Sequence, residues 1–283
     1  MKTHIKVPNA VITATWLNQN LEAPNLIVLN GTIPKVGQSM EEVHQEHQQL
    51  PNSKFFDIKK IFSLQNATFP NTIPEVKAFE IAAQNLGICN DSCIVVYDEH
   101  GIYSSPRVWW LFKTMGFDNI AVLDGGLPAW KIQFRTENKR QQGQISIGNF
   151  KANYRADYFR DKYQILENIN NKKELVIDAR SAGRFTGTDP EPRGEIRSGH
   201  IPHSKNLPFA TVLNEGNLHS NDYLEKLFTT YAAKSDALVF SCGSGITACI
   251  LMLAATAVGY EKVAIYDGSW TEWGSLLELP IEI

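Results

Sequence analysis

The sequence has few cysteines, no long hydrophobic run and almost no net charge. Four cysteines among 283 residues are too few for a disulfide framework, so we expect reduced thiols. No run approaches the roughly 18 apolar residues of a membrane span, and residues 1–10 lack the apolar stretch of a secretory signal. A net charge of -3 gives no global attraction to nucleic acid or anionic membranes. These absences predict a cytoplasmic globular protein that binds small molecules and has no nucleic-acid or membrane partner.

Composition and cysteine spacing narrow the possibilities further. Hydrophobic residues make up 43% and charged residues 20% of the chain, which is the balance of a protein with a substantial core. The length suits two α/β domains of about 140 residues each, or one large domain. Cys89 and Cys93 have no partner pair at metal-ligand spacing, so we expect no metal site. We interpret them as packing residues, together with Cys249 in the apolar run 248–257.

The chain repeats itself once. Residues 116–125 match residues 259–268 at an offset of 143, and Trp130 and Trp273 then fall in register. Two further matches are residues 94–98 with 237–241 at the same offset, and residues 50–54 with 201–205 at an offset of 151. Constant offsets between long segments indicate a duplicated domain with loops of different length.

The repeat sets the predicted domain boundaries and fold. We expect a first domain over residues 1–137, a polar linker over 138–150 and a second domain over 151–283. Short β-branched runs alternate with helix-like segments in both halves. The predicted strands include residues 26–29, 94–97, 175–177 and 238–240, and the predicted helices include residues 105–115 and 247–258. This alternation predicts an α/β fold, with a mainly parallel sheet flanked by helices in each domain.

One turn follows a strand-like run and opens an apolar helix-like run. It reads Ser241-Cys242-Gly243-Ser244-Gly245-Ile246-Thr247. Ligands bind at the carboxyl ends of strands in α/β sheets, and a helix amino terminus offers unpaired N–H groups with a partial positive charge. The two glycines let these N–H groups converge on one point, which we expect to be the sulfur of Cys242. A thiolate held there is a competent nucleophile at neutral pH; the alternative is a small buried side chain beside a tight turn.

The first half of the chain has no thiol at the matching place. The offset of 143 aligns Cys242 with Glu99, within the stretch Asp98-Glu99-His100-Gly101. We therefore expect the first domain to be a scaffold that walls one side of the active cleft. A catalytic Glu99 or His100 is the less favoured alternative.

Residues 242–248 read Cys-Gly-Ser-Gly-Ile-Thr-Ala, which closely resembles the active loop of the 3-mercaptopyruvate sulfurtransferases in the tandem rhodanese superfamily. Further stretches that resemble family landmarks are residues 105–110, 178–180, 199–202 and 266–274. The resemblance covers nearly the whole chain. It implies two rhodanese domains, the first inactive and the second catalytic, with a sulfur atom carried by Cys242 as a persulfide and no metal or organic cofactor.

The turn bears on the identity of the sulfur donor because it carries no charge. Thiosulfate is a dianion, and thiosulfate-type rhodaneses have basic residues where this chain has Gly243 and Ser244. A neutral turn favours 3-mercaptopyruvate, whose carboxylate lies away from its sulfur and suits the planar fork of arginine. By the resemblance, the substrate-binding arginines are Arg184 and Arg193. Arg197 is interpreted as a structural residue.

The predicted reaction begins when the Cys242 thiolate attacks the donor sulfur. The C–S bond then breaks, and pyruvate enolate leaves and is protonated. The arginines hold the carboxylate, while the Ser244 hydroxyl and the N–H groups of the turn stabilise the developing negative charge. We assign this binding role to Gly243, Gly245, Ile246 and Thr247. The persulfide then passes its sulfur to an acceptor, for which we expect thioredoxin or a small thiol, or cyanide in an assay.

One family feature departs from the expected pattern. Some accounts pair the turn serine with a histidine and an aspartate of the first domain, and the stretch with the histidine here reads Gln49-Leu50-Pro51-Asn52. Residues 31–56 contain no aspartate, so the relay is absent as written. His47 is a candidate substitute, which we interpret as a solvated side chain. Either Ser244 acts without the relay, or the donor preference has changed.

Other functions stay open as alternatives. A cysteine-dependent phosphatase shares this fold but needs an arginine six residues after the nucleophile, where this chain has Ala248. Thiosulfate is the second choice of donor, and a non-catalytic persulfide carrier is the rival outside enzymology. We interpret His200 as a structural histidine and Asp178 as a hydrogen-bonding anchor at a strand end.

Overall fold

The computed structural model describes residues 3–35, 38–39, 48–138 and 146–283. The strands are β1 Val11–Ile12, β2 Leu26–Asn30, β3 Gln48–Gln49, β4 Lys54–Phe55, β5 Cys93–Tyr97, β6 Ile120–Leu123, β7 Glu137–Asn138, β8 Phe159–Arg160, β9 Glu174–Asp178, β10 Lys205–Asn206, β11 Leu213–Asn214, β12 Asn217–Leu218, β13 Ala237–Ser241 and β14 Val263–Tyr266. The α-helices are α1 Ala14–Asn20, α2 Val76–Asn85, α3 Ser105–Thr114, α4 Gly126–Gln133, α5 Lys162–Asn171, α6 Ala182–Phe185, α7 Asn221–Thr229, α8 Ala248–Ala257 and α9 Ser269–Trp273. No helix in the described ranges is both long enough and apolar enough to cross a membrane.

The chain forms two compact units. Unit 1 comprises residues 1–65, 73–155 and 215–218, and unit 2 comprises residues 66–72, 156–214 and 219–283. The short segment 66–72, which lies within the first predicted domain, therefore belongs to unit 2. Most of the predicted linker, residues 139–145, lies outside the described residues, as does His47.

Each unit is built on a five-stranded parallel sheet. The strand order is β1-β6-β5-β2-β4 in unit 1 and β8-β14-β13-β9-β10 in unit 2, and the pairings within both sheets are parallel. When the strands are counted along the chain within each unit, the two orders are the same. This identity confirms the internal repeat and the α/β fold that the sequence predicts.

The central strands form because their sequences are apolar without interruption. β5, β6 and β14 are buried along their whole length, and β13 is buried from its second residue. Continuous Val- and Ile-rich runs are characteristic of parallel strands that helices cover on both faces. The predicted helices 105–115 and 247–258 correspond to α3 and α8, with ends that differ by one residue at most.

Matching details in the two units support the duplication. Trp130 and Trp273 are buried, and their indole N–H groups donate to backbone carbonyls at 2.9 and 2.7 Å, respectively. Asn52 and His203, which precede β4 and β10, have left-handed φ values of 55° and 65°. Both pairs obey the offsets that the sequence repeat gives, so the turns between the strands are conserved within the molecule.

Candidate active site

Cys242 lies at the junction of a strand and a helix in unit 2. It directly follows β13 and is 1% exposed, and α8 begins at Ala248. Between them Gly245 has a φ of 76°, a left-handed conformation that glycine adopts without a steric penalty. The structure thus has the strand, turn and helix that the sequence predicts around this thiol.

The next helix holds the first two carbonyls of the turn. Trp270 donates its N–H to the Cys242 carbonyl at 2.9 Å, and Thr271 donates its N–H to the Gly243 carbonyl at 2.8 Å. The Thr271 hydroxyl also donates to the Gly243 carbonyl, at 2.5 Å. These bonds fix the first two peptide planes of the turn. Because each carbonyl shares its peptide plane with the next N–H, they also fix the directions of the Gly243 and Ser244 N–H groups.

Several N–H groups of the turn are available to a ligand. Within the part of the chain that the structure describes, four of them donate to no protein acceptor, and they belong to Gly243, Ser244, Ile246 and Thr247. Unpaired N–H groups at a helix amino terminus form a concave site for an anion. A negatively charged sulfur on Cys242 fits such a site.

Asp98, and not Glu99, is the residue of unit 1 that corresponds to Cys242. Leu127 donates its N–H to the Asp98 carbonyl at 3.0 Å, as Trp270 does to Cys242. The offset is 143 between α3 and α8 but 144 between β5 and β13. The turn of unit 1 therefore contains one residue more, and the alignment of Glu99 with Cys242 was wrong for this reason.

The Asp98 carboxylate shows what this kind of turn binds. Its Oδ2 accepts the N–H groups of Tyr103, Ser104 and Ser105, each at 2.9 Å, and the Ser105 hydroxyl at 2.7 Å. These N–H groups lead into α3 in the way that those of residues 246–248 lead into α8. In unit 1 the position that matches Cys242 thus holds a carboxylate bound by the N–H groups that lead into a helix.

Arg184 lies against the turn that follows Cys242. Its Nη2 is 3.1 Å from the place that a Cβ on residue 243 would occupy, so the absence of a side chain at Gly243 allows this approach. The Arg184 side chain is 25% exposed and forms an ion pair with Glu191. A guanidinium that is held beside the turn and open to solvent can bind a substrate carboxylate.

Arg193 reaches the same turn through Thr271. It is exposed, and its Nη1 donates to Thr271 Oγ1 at 2.8 Å. Thr271 in turn donates to the Gly243 carbonyl. The structure therefore brings both predicted arginines to the turn of Cys242.

A buried chain of charges supports Arg184, and its two inner members were not predicted from the sequence. Arg180 is fully buried, pairs with Asp178 at 2.7 Å and with Glu191 at 2.8 Å, and stacks on Trp270. Asp178 is thus the anchor at a strand end that the sequence predicts. Two sequence signals could have revealed these paired charges. One is Glu191, which lies between Arg184 and Arg193, and the other is the stretch Asp178-Ala179-Arg180.

Ser269 is another residue that was not predicted from the sequence. Its Oγ accepts the Cys242 N–H at 3.2 Å and lies 4.0 Å from Cys242 Sγ. Its φ of 50° is unusual for a residue with a side chain, which indicates that the surrounding structure holds it in place. The sequence offers no local signal for this proximity, since 27 residues separate the two positions.

Asn71, from segment 66–72, contacts Ser244. Its Nδ2 donates to the Ser244 carbonyl at 3.0 Å and to Ser244 Oγ at 3.2 Å. Gln49, which stands in the predicted histidine stretch, belongs to β3 of unit 1 and pairs with Glu137 of β7. Asn71 was not predicted from the sequence, because nothing in a Pro-Asn step signals a partner 173 residues away.

His200 and Arg197 have structural contacts, as we interpret them from the sequence. The His200 ring stacks on Phe185 with centroids 3.8 Å apart, and its Nδ1 is 2.9 Å from the Phe185 carbonyl. Arg197 donates to the carbonyls of Gly274, Leu276 and others that follow α9. These contacts of both side chains are with residues outside the turn 242–247.

Burial alters the pKa of two other groups, the Glu272 carboxyl and the Cys93 thiol. Burial raises the pKa of Glu272, whose carboxylate accepts the Tyr266 hydroxyl at 2.9 Å. Burial also raises the pKa of Cys93 to about 11, so this thiol is protonated at neutral pH. These shifts follow from packing in the interior.

The fold and the site together define a class of protein. Two α/β units share one topology, and the equivalent turns carry a carboxylate in the first unit and a buried thiol in the second. This is a tandem-domain protein with a thiol-based site in its second unit.

The chain belongs to the rhodanese-like domain family, whose model matches residues 13–133 and 161–276. A 3-mercaptopyruvate sulfurtransferase of Escherichia coli (strain K12) is 32% identical over 276 residues, which cover 96% of this chain and 97% of that protein. A 3-mercaptopyruvate sulfurtransferase of Mus musculus is 36% identical over 274 residues, with coverages of 93% and 91%. The crystal structure of SseA from Escherichia coli, a 3-mercaptopyruvate sulfotransferase, matches with a TM-score of 0.82 at 29% identity, covering 93% of this chain and 99% of that one. The predicted resemblance is confirmed along nearly the whole chain.

Proposed function

We propose that this protein is a sulfurtransferase in which Cys242 accepts sulfur from 3-mercaptopyruvate, holds it as a persulfide and passes it to a thiol. One observation carries the proposal. The carboxylate of Asp98, the counterpart of Cys242 in unit 1, is held by three N–H groups at the start of α3. The turn of unit 2 is one residue shorter, but it also leads into a helix with unpaired N–H groups, which supports a negatively charged sulfur on Cys242. The sulfurtransferase relatives support the same chemistry.

The first half-reaction balances without a cofactor. The Cys242 thiolate attacks the sulfur of 3-mercaptopyruvate and forms an S–S bond. The C–S bond breaks, and its electron pair leaves with the carbon as pyruvate enolate, which takes a proton. The unpaired N–H groups of Gly243, Ser244, Ile246 and Thr247 stabilise the charge that remains on the persulfide.

Substrate orientation comes from the two arginines. Arg184 and Arg193 bind the donor carboxylate, because both guanidinium groups are associated with the turn while the turn itself carries no charge. A monoanionic donor with its charge remote from the reacting sulfur fits this separation. The dianionic thiosulfate fits it less well.

In the second half-reaction a thiolate attacks the outer sulfur of the persulfide and regenerates Cys242. We propose thioredoxin or a small thiol as the acceptor, with cyanide as an assay substitute. The outer sulfur is the electrophile in this step, and the same N–H groups stabilise the departing Cys242 thiolate.

Steady-state kinetics with both donors tests the proposal. Purified protein is assayed for pyruvate from 3-mercaptopyruvate and for thiocyanate from thiosulfate and cyanide. We expect a higher kcat/KM with 3-mercaptopyruvate, and we expect Arg184→Ala and Arg193→Ala to raise its KM by about 10-fold. Arg135→Ala removes an exposed arginine of unit 1 and serves as the matched control. Equal or better use of thiosulfate contradicts the donor assignment, and a lack of multiple turnover on either donor indicates a persulfide carrier.

A further inference from the structure

The orientation of the Asn71 amide is fixed by its partner. The Ser244 carbonyl can only accept a hydrogen bond, so the amide group that lies 3.0 Å from it must be the NH2 group. The same Nδ2 lies 3.2 Å from Ser244 Oγ and therefore donates to the hydroxyl oxygen as well. Asn71 itself has a φ of 61°, which asparagine tolerates better than most residues, so the local backbone suits this side chain.

This contact decides the role of the Ser244 hydroxyl. One lone pair of Oγ accepts the Asn71 N–H, so the hydroxyl hydrogen is directed away from Asn71. An amide has no proton to exchange at neutral pH and cannot act as a general base. We propose that Asn71 is a positioning residue that makes Ser244 a hydrogen-bond donor toward the reacting sulfur or the donor substrate, with no proton transfer through Ser244.

The inference rests on the proposed sulfurtransfer reaction and adds to it a specific role for Ser244. A serine activated by a base would give up its proton and serve as an acceptor, whereas Ser244 keeps its proton and stabilises negative charge. Segment 66–72 carries no titratable side chain. Within the described residues, the titratable or charged side chains that contact the turn are Cys242, Arg184 on α6 and, through Thr271, Arg193. None of these lies between Asn71 and the Ser244 hydroxyl, because Asn71 donates directly to Ser244 Oγ.

The Asn71→Asp variant tests the role through the pH profile. An ionised carboxylate of the same shape cannot donate to the Ser244 carbonyl, and it draws the Ser244 hydroxyl hydrogen toward itself. We expect kcat at pH 8 to fall by about 10-fold with little change in KM. Protonation of the new carboxyl group restores a donor, so the ratio of variant to wild-type kcat rises as the pH falls from 8 to 5. The ratio removes the pH effects that both proteins share.

A double-mutant cycle tests whether the effect passes through the hydroxyl. We expect Asn71→Ala to lower kcat by about 5-fold in the wild-type background and by less than about 2-fold in the Ser244→Ala background. The remaining contact with the Ser244 backbone is the same in both backgrounds, so it cancels. Thr72→Val removes the hydroxyl that donates to the Phe69 carbonyl in the same segment, and it should keep the wild-type pH profile.

The outcomes separate this inference from the proposed function. If wild type turns over 3-mercaptopyruvate but the Asn71→Asp ratio does not change with pH, or the cycle is additive, Asn71 only braces the backbone and the inference is overturned. If wild type turns over neither donor, the proposed function fails, and the inference fails with it. Circular dichroism and thermal unfolding of each variant identify losses of activity that come from misfolding. If one Asn71 variant misfolds, the test that uses the other, folded Asn71 variant decides the outcome.

Discussion

Arg184 and Glu191 form a two-point ion pair, with Nε to Oε1 at 3.1 Å and Nη2 to Oε2 at 2.6 Å. The Glu191 side chain is 4% exposed and also accepts from the buried Arg180. Glu191 therefore fixes the plane of the Arg184 guanidinium and cancels part of its charge. The chain Asp178, Arg180, Glu191 and Arg184 has equal numbers of positive and negative groups. The positioning of Arg184 thus adds no net charge to the site, which favours a monoanionic donor over a dianionic one.

Glu191→Gln should change donor selectivity. The amide keeps the shape but removes the negative charge, so Arg184 is less firmly oriented and more strongly positive. We expect KM for 3-mercaptopyruvate to rise by about 5-fold and the relative kcat/KM for thiosulfate to increase. The same assay on Glu195→Gln, an identical charge change at an exposed site of the same segment, should give wild-type ratios. An unchanged ratio in Glu191→Gln contradicts the charge argument.

Cys242→Asp should convert the turn of unit 2 into the arrangement of unit 1. A carboxylate at this position can accept the N–H groups at the start of α8, as Asp98 does at the start of α3. We expect no sulfur transfer, but a free energy of unfolding about 1–2 kcal/mol above that of Cys242→Ala, measured by urea denaturation at pH 7. Cys242→Asn, a weaker acceptor of similar shape, should fall between the two. An aspartate variant less stable than the alanine variant argues against an anion site.

Glu272 should impose a pH dependence on stability. Because burial raises its pKa in the folded state, the folded protein holds this proton at pH values where the unfolded chain has lost it. Ionisation of Glu272 therefore costs stability as the pH rises through the folded pKa. We expect Glu272→Gln to gain stability relative to wild type between pH 4.5 and pH 7.5 in urea unfolding. The exposed Glu278→Gln is the control, and a difference between Glu272→Gln and wild type that stays constant over this pH range contradicts a raised pKa for Glu272.

Thiol labelling should distinguish Cys242 from the packing cysteines. With a pKa of about 11, Cys93 has a thiolate fraction of roughly one in a thousand at pH 8. We expect iodoacetamide to alkylate Cys242 before Cys93 and Cys249 in the folded protein, with activity lost in parallel, as peptide mass spectrometry can measure. Prior incubation with 3-mercaptopyruvate should convert Cys242 to the persulfide, so the alkylated peptide should then carry one additional sulfur atom. Equal labelling rates for Cys93 and Cys242 contradict the assignment.

The sequence predicts the fold well because the signals are local or repeated. Uninterrupted apolar runs such as residues 94–97 identify buried parallel strands, and the offset of 143 relates the two units. The offset changes to 144 between β5 and β13, because the turn after β5 has one more residue than the turn after β13. Because of that single additional residue, the counterpart of Cys242 is Asp98 and not Glu99. The comparison of the two turns therefore sets a bound carboxylate beside the Cys242 sulfur.

The sequence predicts the centre of the site but not its supporting contacts. Cys242 and its glycines are contiguous, and Arg184 and Arg193 follow from a family resemblance. Asn71 and Ser269 make contacts between distant parts of the chain, 173 residues from Ser244 and 27 residues from Cys242, respectively. Glu191 contacts arginines 7 and 11 residues away, through the fold of one loop. Such contacts depend on tertiary packing, which spacing along one chain does not encode.

The most direct test is the mass of Cys242 after a single exposure to 3-mercaptopyruvate in the absence of an acceptor thiol. The mechanism predicts that the intact protein gains the mass of one sulfur atom, that peptide mapping finds it on Cys242, and that added thiol removes it with release of one equivalent of sulfide or persulfide. Cys242→Ser should show no gain. An unmodified Cys242 in protein that releases pyruvate, or a sulfur located on Cys249 instead, would contradict the account.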